Sequence, residues 1–110
     1  MSAPPLERLH AEPGVAGARE ALRRAGVDPY AWSNGPGDRY AAHEHATTKL
    51  LVCAEGSITF LVGPEEEPVT LEAGDGFVLP AATRHSAAVG PTGCTCLEGH
   101  RPRPRAVNVG

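Results

Sequence analysis

At 110 residues, with 41% apolar and only 5% aromatic residues, the chain has the length of one domain and a core to be built from Leu, Val and Ala rather than large rings. A formal charge of −3 and a pI near 5.9 supply no overall positive field, so neither nucleic acid nor a membrane surface is expected as a partner. The opening MSAPPLERLH lacks a basic-then-apolar leader pattern and no apolar run reaches the roughly 20 residues of a membrane helix, so a cytoplasmic location is expected.

Leu6 and Leu9 begin a weak helical spacing, and Ala16 to Ala25 (AGAREALRRA) is a strong helix former ending at Gly26. One or two short helices are therefore expected in an N-terminal extension over residues 1–36. Turn residues from Val27 to Asp38 hand the chain over to strands, with a barrel starting near Tyr40 and filling residues 37–100. Strands are expected at Leu50 to Cys53, Ile58 to Val62, Val69 to Leu71, Phe77 to Leu79, His85 to Val89 and Cys94 to Leu97. Gly56, the Gly63 to Pro68 turn, Gly74-Asp75-Gly76, Pro80 and Gly90 to Gly93 divide them.

Short strands at regular spacing, without crossover helices to cover a parallel sheet, indicate an all-β sandwich or barrel. Glu65 to Glu67 reads as a solvated hairpin tip. Residues 101–110, with Arg101-Pro102-Arg103-Pro104-Arg105, read as an extended, exposed tail rather than an RNA-binding arm. The odd count of three cysteines, with Cys94 and Cys96 close in sequence, favours reduced thiols over a disulfide framework. Cys53 is expected to fill the core, and Cys94 and Cys96 lack the further ligands a second metal site would need.

His43 and His45 are two apart, so on a strand both imidazoles point to one face. His85, beyond a strand and a Pro80-bounded turn, can be brought alongside them by antiparallel pairing. The order Gly37, His43, His45, Lys49, Gly56 and then Gly74, Pro80, Ala82, His85, Val89 resembles the two motifs of the cupin superfamily at every interval. The motifs span residues 37–89, about half of the chain. The resemblance implies a small single-domain cupin: an all-β double-stranded β-helix, or jelly-roll barrel, behind the short N-terminal helices. It also implies His43, His45 and His85 as ligands of one divalent transition metal ion, with Fe, Ni, Cu or Zn suiting three imidazoles. Small dimers are common in the family, so a homodimer is expected, and Leu50 and Val52, opposite the ligands, are candidates for either core or dimer contact.

Three positions depart from the family pattern: Lys49 stands where a glutamate ligand is usual, Ala82 for glycine and Val89 for asparagine. Lys49 is the only lysine in the chain. Its ammonium beside a metal leaves several arrangements open: a neutral amine, a side chain bent toward an anion, a head reaching solvent at the barrel mouth, or no metal at all. Lys49 and Tyr40 are the candidate catalytic residues, moving a proton or steadying an anion. His10 and His100, outside both motifs, read as surface residues, and Glu44 should point away from the ligands. The functional expectation is a metal-dependent enzyme of dioxygenase, isomerase, lyase or cyclase type acting on a small organic molecule. The alternatives are a non-catalytic barrel that binds or senses a small molecule or metal, and a barrel with a vestigial site.

Overall fold

The computed structural model describes residues 5–101. In chain order the elements are β1 (Arg8–His10), α1 (Val15–Arg24), β2 (Tyr30–Asn34), β3 (Arg39–His43), β4 (Lys49–Val62), β5 (Glu67–Glu72), β6 (Asp75–Leu79) and β7 (His85–His100). Every strand pairing is antiparallel, as the all-β expectation requires. The spine is the pairing of the two long strands, from Lys49↔His100 to Val62↔His85. The first half of β4 pairs with β6 and its second half with β5. The second half of β7 pairs with β2 and its first half with β3. Each long strand thus serves both layers of the jelly roll.

The change of layer falls where the sequence suggested strand ends. Gly56 and the Gly90 to Gly93 stretch are not chain reversals: β4 and β7 continue through them, and the register shifts between Cys53 and Glu55 and between Gly56 and Ile58. Gly56 has φ 74°, and a Cβ there would lie 2.0 Å from the Gly93 carbonyl oxygen, so only glycine fits this bend. Glycine in a strand reads as a divider when its use as a bulge is not visible.

The strand system also begins before residue 37. Tyr30 to Asn34 pairs with β7 from Tyr30↔Glu98 to Asn34↔Cys94. The segment Leu6 to Leu9 is not helical, because Arg8 to His10 forms β1 on the edge of β6, with Arg8↔Phe77 and His10↔Asp75. Edge pairing outweighs the weak helical spacing there, and α1 is the one helix among the described residues. Glu65 to Glu67 are exposed at the β4–β5 connection, as a solvated tip requires. Of the expected C-terminal tail only Arg101 lies within the described residues, where it is exposed; Pro102 to Arg105 lie outside them.

Alternation along β4 creates two cores. Leu51 and Cys53 face the barrel interior with Phe60, Leu71, Phe77 and Leu79. Leu50, Val52 and Ala54 face outward, where Ala18 and Leu22 of α1 cover them together with Val78 and Leu97. Leu50 and Val52 are therefore core, buried beneath this chain's own helix. Among the described residues no helix is long and apolar enough to cross a membrane.

Candidate metal centre

β3 ends on His43 and β7 begins on His85, and the two are register partners; His45 lies in the connection that follows β3. Their ring centroids are 4.8 Å (His43–His45), 4.4 Å (His43–His85) and 5.1 Å (His45–His85) apart. One ring nitrogen from each can be chosen so that all three lie within 4.8 Å of one another, and no other group of three or more His, Cys, Asp or Glu among the described residues does this.

Backbone carbonyls set two of the rings. His43 Nδ1 lies 2.7 Å from the Ala41 carbonyl oxygen, and His85 Nδ1 lies 2.9 Å from that of Thr83. A proton on each Nδ1 donates to the carbonyl, leaving the Nε2 lone pair to face the cluster. Burial lowers the pKa of His85. Burial, and then the charge of Lys49, lowers that of His45. Both shifts favour the neutral, ligating imidazole.

Lys49 opens β4 opposite His100, and its side chain is only 11% exposed. Little of it reaches solvent. Its Nζ lies 3.0 Å from Glu98 Oε2 and 3.3 Å from His45 Nε2. The Lys49 side chain bends to an anion rather than to the barrel mouth, and the anion is this chain's own Glu98. That carboxylate is held from three sides: Trp32 Nε1 donates to Oε1 at 2.7 Å, and the Tyr30 hydroxyl donates to Oε2 at 2.6 Å beside Lys49. Burial pushes the Glu98 carboxyl up, but the hydrogen bonds from Tyr30 and Lys49, the lysine's charge and Trp32 outweigh it and hold the group below the usual carboxylate range. Burial and Glu98 in turn push the Tyr30 phenol up to about 12.

These groups line one cavity of about 280 Å³. Tyr30, Trp32, Tyr40, Lys49 and Glu98 line it with the three histidines, and Leu51, Phe60 and Ala87 add apolar surface among them. Tyr40 is in the lining, where its hydroxyl donates to Asn34 and its ring stands edge-on to Trp32. His100 is more than a surface residue. Its ring stacks on Tyr30 at 6.2 Å, and its Nε2 lies 3.6 Å from Glu98. His10 and Glu44 are exposed and take no part in the lining. Cys53, Cys94 and Cys96 are free and buried in the interior core.

Sequence reasoning missed Glu98, Tyr30 and Trp32. The signal was present: Cys94 and Cys96 share a face of β7, and the same period of two continues to Glu98 and His100. Ending the last strand at Leu97 hid it.

The donor set suits a transition metal. Imidazole nitrogens bound at about 2.1 Å from one ion stand roughly 3.0–3.4 Å apart, so from a spread of up to 4.8 Å the trio needs a closure of up to about 1.4–1.8 Å, to which His43 at an exposed strand end can contribute. Glu98 neutralises the ammonium that would otherwise repel the ion, and Nε2 of His45 would exchange its contact with Lys49 for the ion.

A family profile described as a cupin domain matches residues 32–98. The chain belongs to the cupin family. No curated protein matches it. Among solved structures, this cupin is similar to an RmlC-like cupin from Shewanella frigidimarina at 23% identity, covering 72% of this chain and 68% of that one with a TM-score of 0.61. It is similar at 18% identity to the WlaRB TDP-quinovose 3,4-ketoisomerase from Campylobacter jejuni, covering 72% and 65% with a TM-score of 0.60. A structure described under the DMSP lyases RdDddP and RnDddQII matches at 24% identity with a TM-score of 0.63, covering 69% of this chain but 38% of that one. Likeness of this degree shows the shared fold.

Proposed function

We propose that this cupin is a metal-dependent enzyme that moves a proton on a small organic molecule, in the manner of an isomerase or lyase. The observation that carries the reading is the Lys49–Glu98 ion pair, buried at 3.0 Å beside three converging imidazoles in one cavity. A purely structural barrel gains little from a buried ion pair, whose desolvation offsets most of its attraction. The occurrence of a ketoisomerase and of lyases among the fold's neighbours agrees with the reaction class without carrying it.

His43, His45 and His85 would hold the metal, and Fe(II), Ni(II), Cu(II) and Zn(II) all suit that donor set. When bound, it supplies Lewis-acid polarisation of a substrate oxygen. The chain's own residues do the rest. Glu98, pinned by Trp32 and Tyr30, fixes the Lys49 ammonium at the cavity wall. Lys49 donates a hydrogen bond to the oxygen on which negative charge develops, while water at the open mouth of the cavity takes the proton that leaves the neighbouring carbon and returns one to it. Leu51, Phe60 and Ala87 add hydrocarbon to the lining, which lowers the local polarity and strengthens that interaction.

Exchange of hydrogens next to a carbonyl, followed by NMR in D2O with metal-loaded protein and a panel of small carbonyl compounds, tests this reading. Exchange that is lost in His43→Ala and falls at least about a hundredfold in Lys49→Met is expected, within the usual contribution of a positioned acid or base. Exchange that survives unchanged in both variants contradicts it.

A further inference from the structure

Reactive groups also lie below the cavity, where Cys53, Cys94 and Cys96 are free and buried in the interior core. Cys53 and Cys96 are register partners on the two long strands, and neither is exposed. The backbone fixes the kind of rung they share. The Cys53 carbonyl accepts from the Gly74 N–H at 2.9 Å, on the β6 side of β4. In an antiparallel ladder a residue turns its N–H and C=O to the same side, so Cys53 makes neither bond toward β7, and Cys53↔Cys96 is a non-hydrogen-bonded pair. Such pairs hold their Cα atoms about 4.5 Å apart with the side chains close, inside the roughly 4.4–6.8 Å that a disulfide spans. Cys94 lacks this geometry toward Cys96. Two residues along one strand hold their parallel Cβ atoms about 6–7 Å apart, beyond the roughly 3.5–4.5 Å a bridge needs. The rung partner of Cys94 is Gly56, past the bulge.

We propose that Cys53 and Cys96 form an oxidation site, which hydrogen peroxide closes to a cross-strand disulfide tying β4 to β7 beneath the cavity. The two thiols divide the work. A hydrogen bond from the Cys96 thiol is the largest influence on Cys53 and lowers its pKa against the effect of burial. The same bond, with burial, raises the pKa of Cys96, which keeps its proton. Cys53 is therefore the attacking sulfur. Its electron pair forms an S–O bond to one peroxide oxygen as the O–O bond breaks, and the departing hydroxide leaves with the Cys53 proton as water. The Cys96 sulfur then attacks Cys53: the S–S bond forms, the S–O bond breaks, and the second hydroxide leaves with the Cys96 proton. Two thiols give up two electrons, and one peroxide becomes two waters. Burial keeps bulky oxidants out, but peroxide is little larger than water, and Cys94, on the same face beside Asn34, is 5% exposed. The bridged residues are forty-three positions apart and adjoin the register shift between Cys53 and Glu55. Closing the bridge restricts the unfolded chain and pins the bend where the strands change layer. No histidine takes part, so the site is independent of the metal centre.

Folded full-length protein is treated with hydrogen peroxide beside a chelator, which keeps metal ions from redox cycling, then capped at its free thiols and digested without reduction. Mass spectrometry should find the peptides carrying Cys53 and Cys96 joined, and dithiothreitol should separate them. The joined species should persist in Cys94→Ala and be absent from Cys96→Ala, with Cys53→Ala as a second check on the same pair and circular dichroism reporting the fold of each variant. The bridged wild type should unfold at least about 5 °C above the reduced form, because the cross-link constrains the unfolded chain. Joined peptides that never form in folded protein, or form only after unfolding in urea, overturn the inference. So does a bridge that is lost in Cys94→Ala or survives in Cys96→Ala. A bridge that leaves the unfolding midpoint unchanged or lower would mean that the rung distorts to accept it, which overturns the inference as well.

Discussion

The inner faces of β4 and β7 carry two different chemistries only two rungs apart. At the rung Cys53↔Cys96 both side chains are fully buried, thiol against thiol, and the interior behaves as ordinary core. At Leu51↔Glu98 and Lys49↔His100 the same face of the same strands turns polar, and the cavity opens. Secondary structure does not distinguish the two regions. What differs is access to a ring of partners: Glu98 and Lys49 are buried at the open end because Tyr30, Trp32 and the imidazoles are there to receive them. Polar groups at the thiol rung would have hydrocarbon, sulfur and only the Glu55 and Gly56 carbonyls, already used by the Cys53 thiol, around them. A barrel can therefore keep a charged site and a sealed core on one pair of strands, provided the charges come paired.

The largest effects should separate the two regions cleanly. Phe77→Ala, in the sealed core, should cost about 3–5 kcal/mol in chemical denaturation, from lost burial plus the cavity left behind. Glu98→Gln, at the open end, should cost about 3 kcal/mol because it leaves the Lys49 ammonium buried without its counter-ion. The double variant Lys49→Met/Glu98→Gln should recover at least about half of that loss. A double variant no more stable than Glu98→Gln would mean that the pair is not coupled, and the contrast between the regions would lose its basis.

A smaller effect follows from acid. The Glu98 carboxyl is held below its unfolded value of about 4.5, so its contribution to stability is fully present above that pH. It is lost as pH falls through the lower folded value. Denaturation midpoints measured from pH 6 down to pH 3 should fall less steeply in the double variant than in the wild type. Identical slopes would remove Glu98 from the account of acid sensitivity. The smallest effect belongs to the thiols: Cys53→Ala and Cys96→Ala should each cost about 1 kcal/mol and leave metal content unchanged. Loss of metal in either would join the sealed rung to the site.

The barrel and its histidines were legible because they rest on intervals: the spacing from Gly37 to Gly56 and from Gly74 to Val89 survives whatever the intervening residues do. What the intervals could not carry was the partner of Lys49. Glu98 sits forty-nine positions away in sequence and only becomes a neighbour through the β4–β7 register. Helix α1 as a lid over Leu50 and Val52 was equally hidden, since six consecutive buried residues at the start of β4 show no alternation to read. Leu6 to Leu9 was misread as helical because three strand residues on a sheet edge leave too short a pattern to compete with a chance spacing.

Metal analysis of untagged protein, purified beside His43→Ala and His85→Ala, tests the central claim most directly. About one equivalent of a transition metal in the wild type, absent from both variants while their circular dichroism stays that of the folded barrel, is the predicted result. Protein that holds no stoichiometric metal after reconstitution with Fe(II), Ni(II), Cu(II) and Zn(II), or that keeps its metal in both variants, would contradict a three-histidine centre.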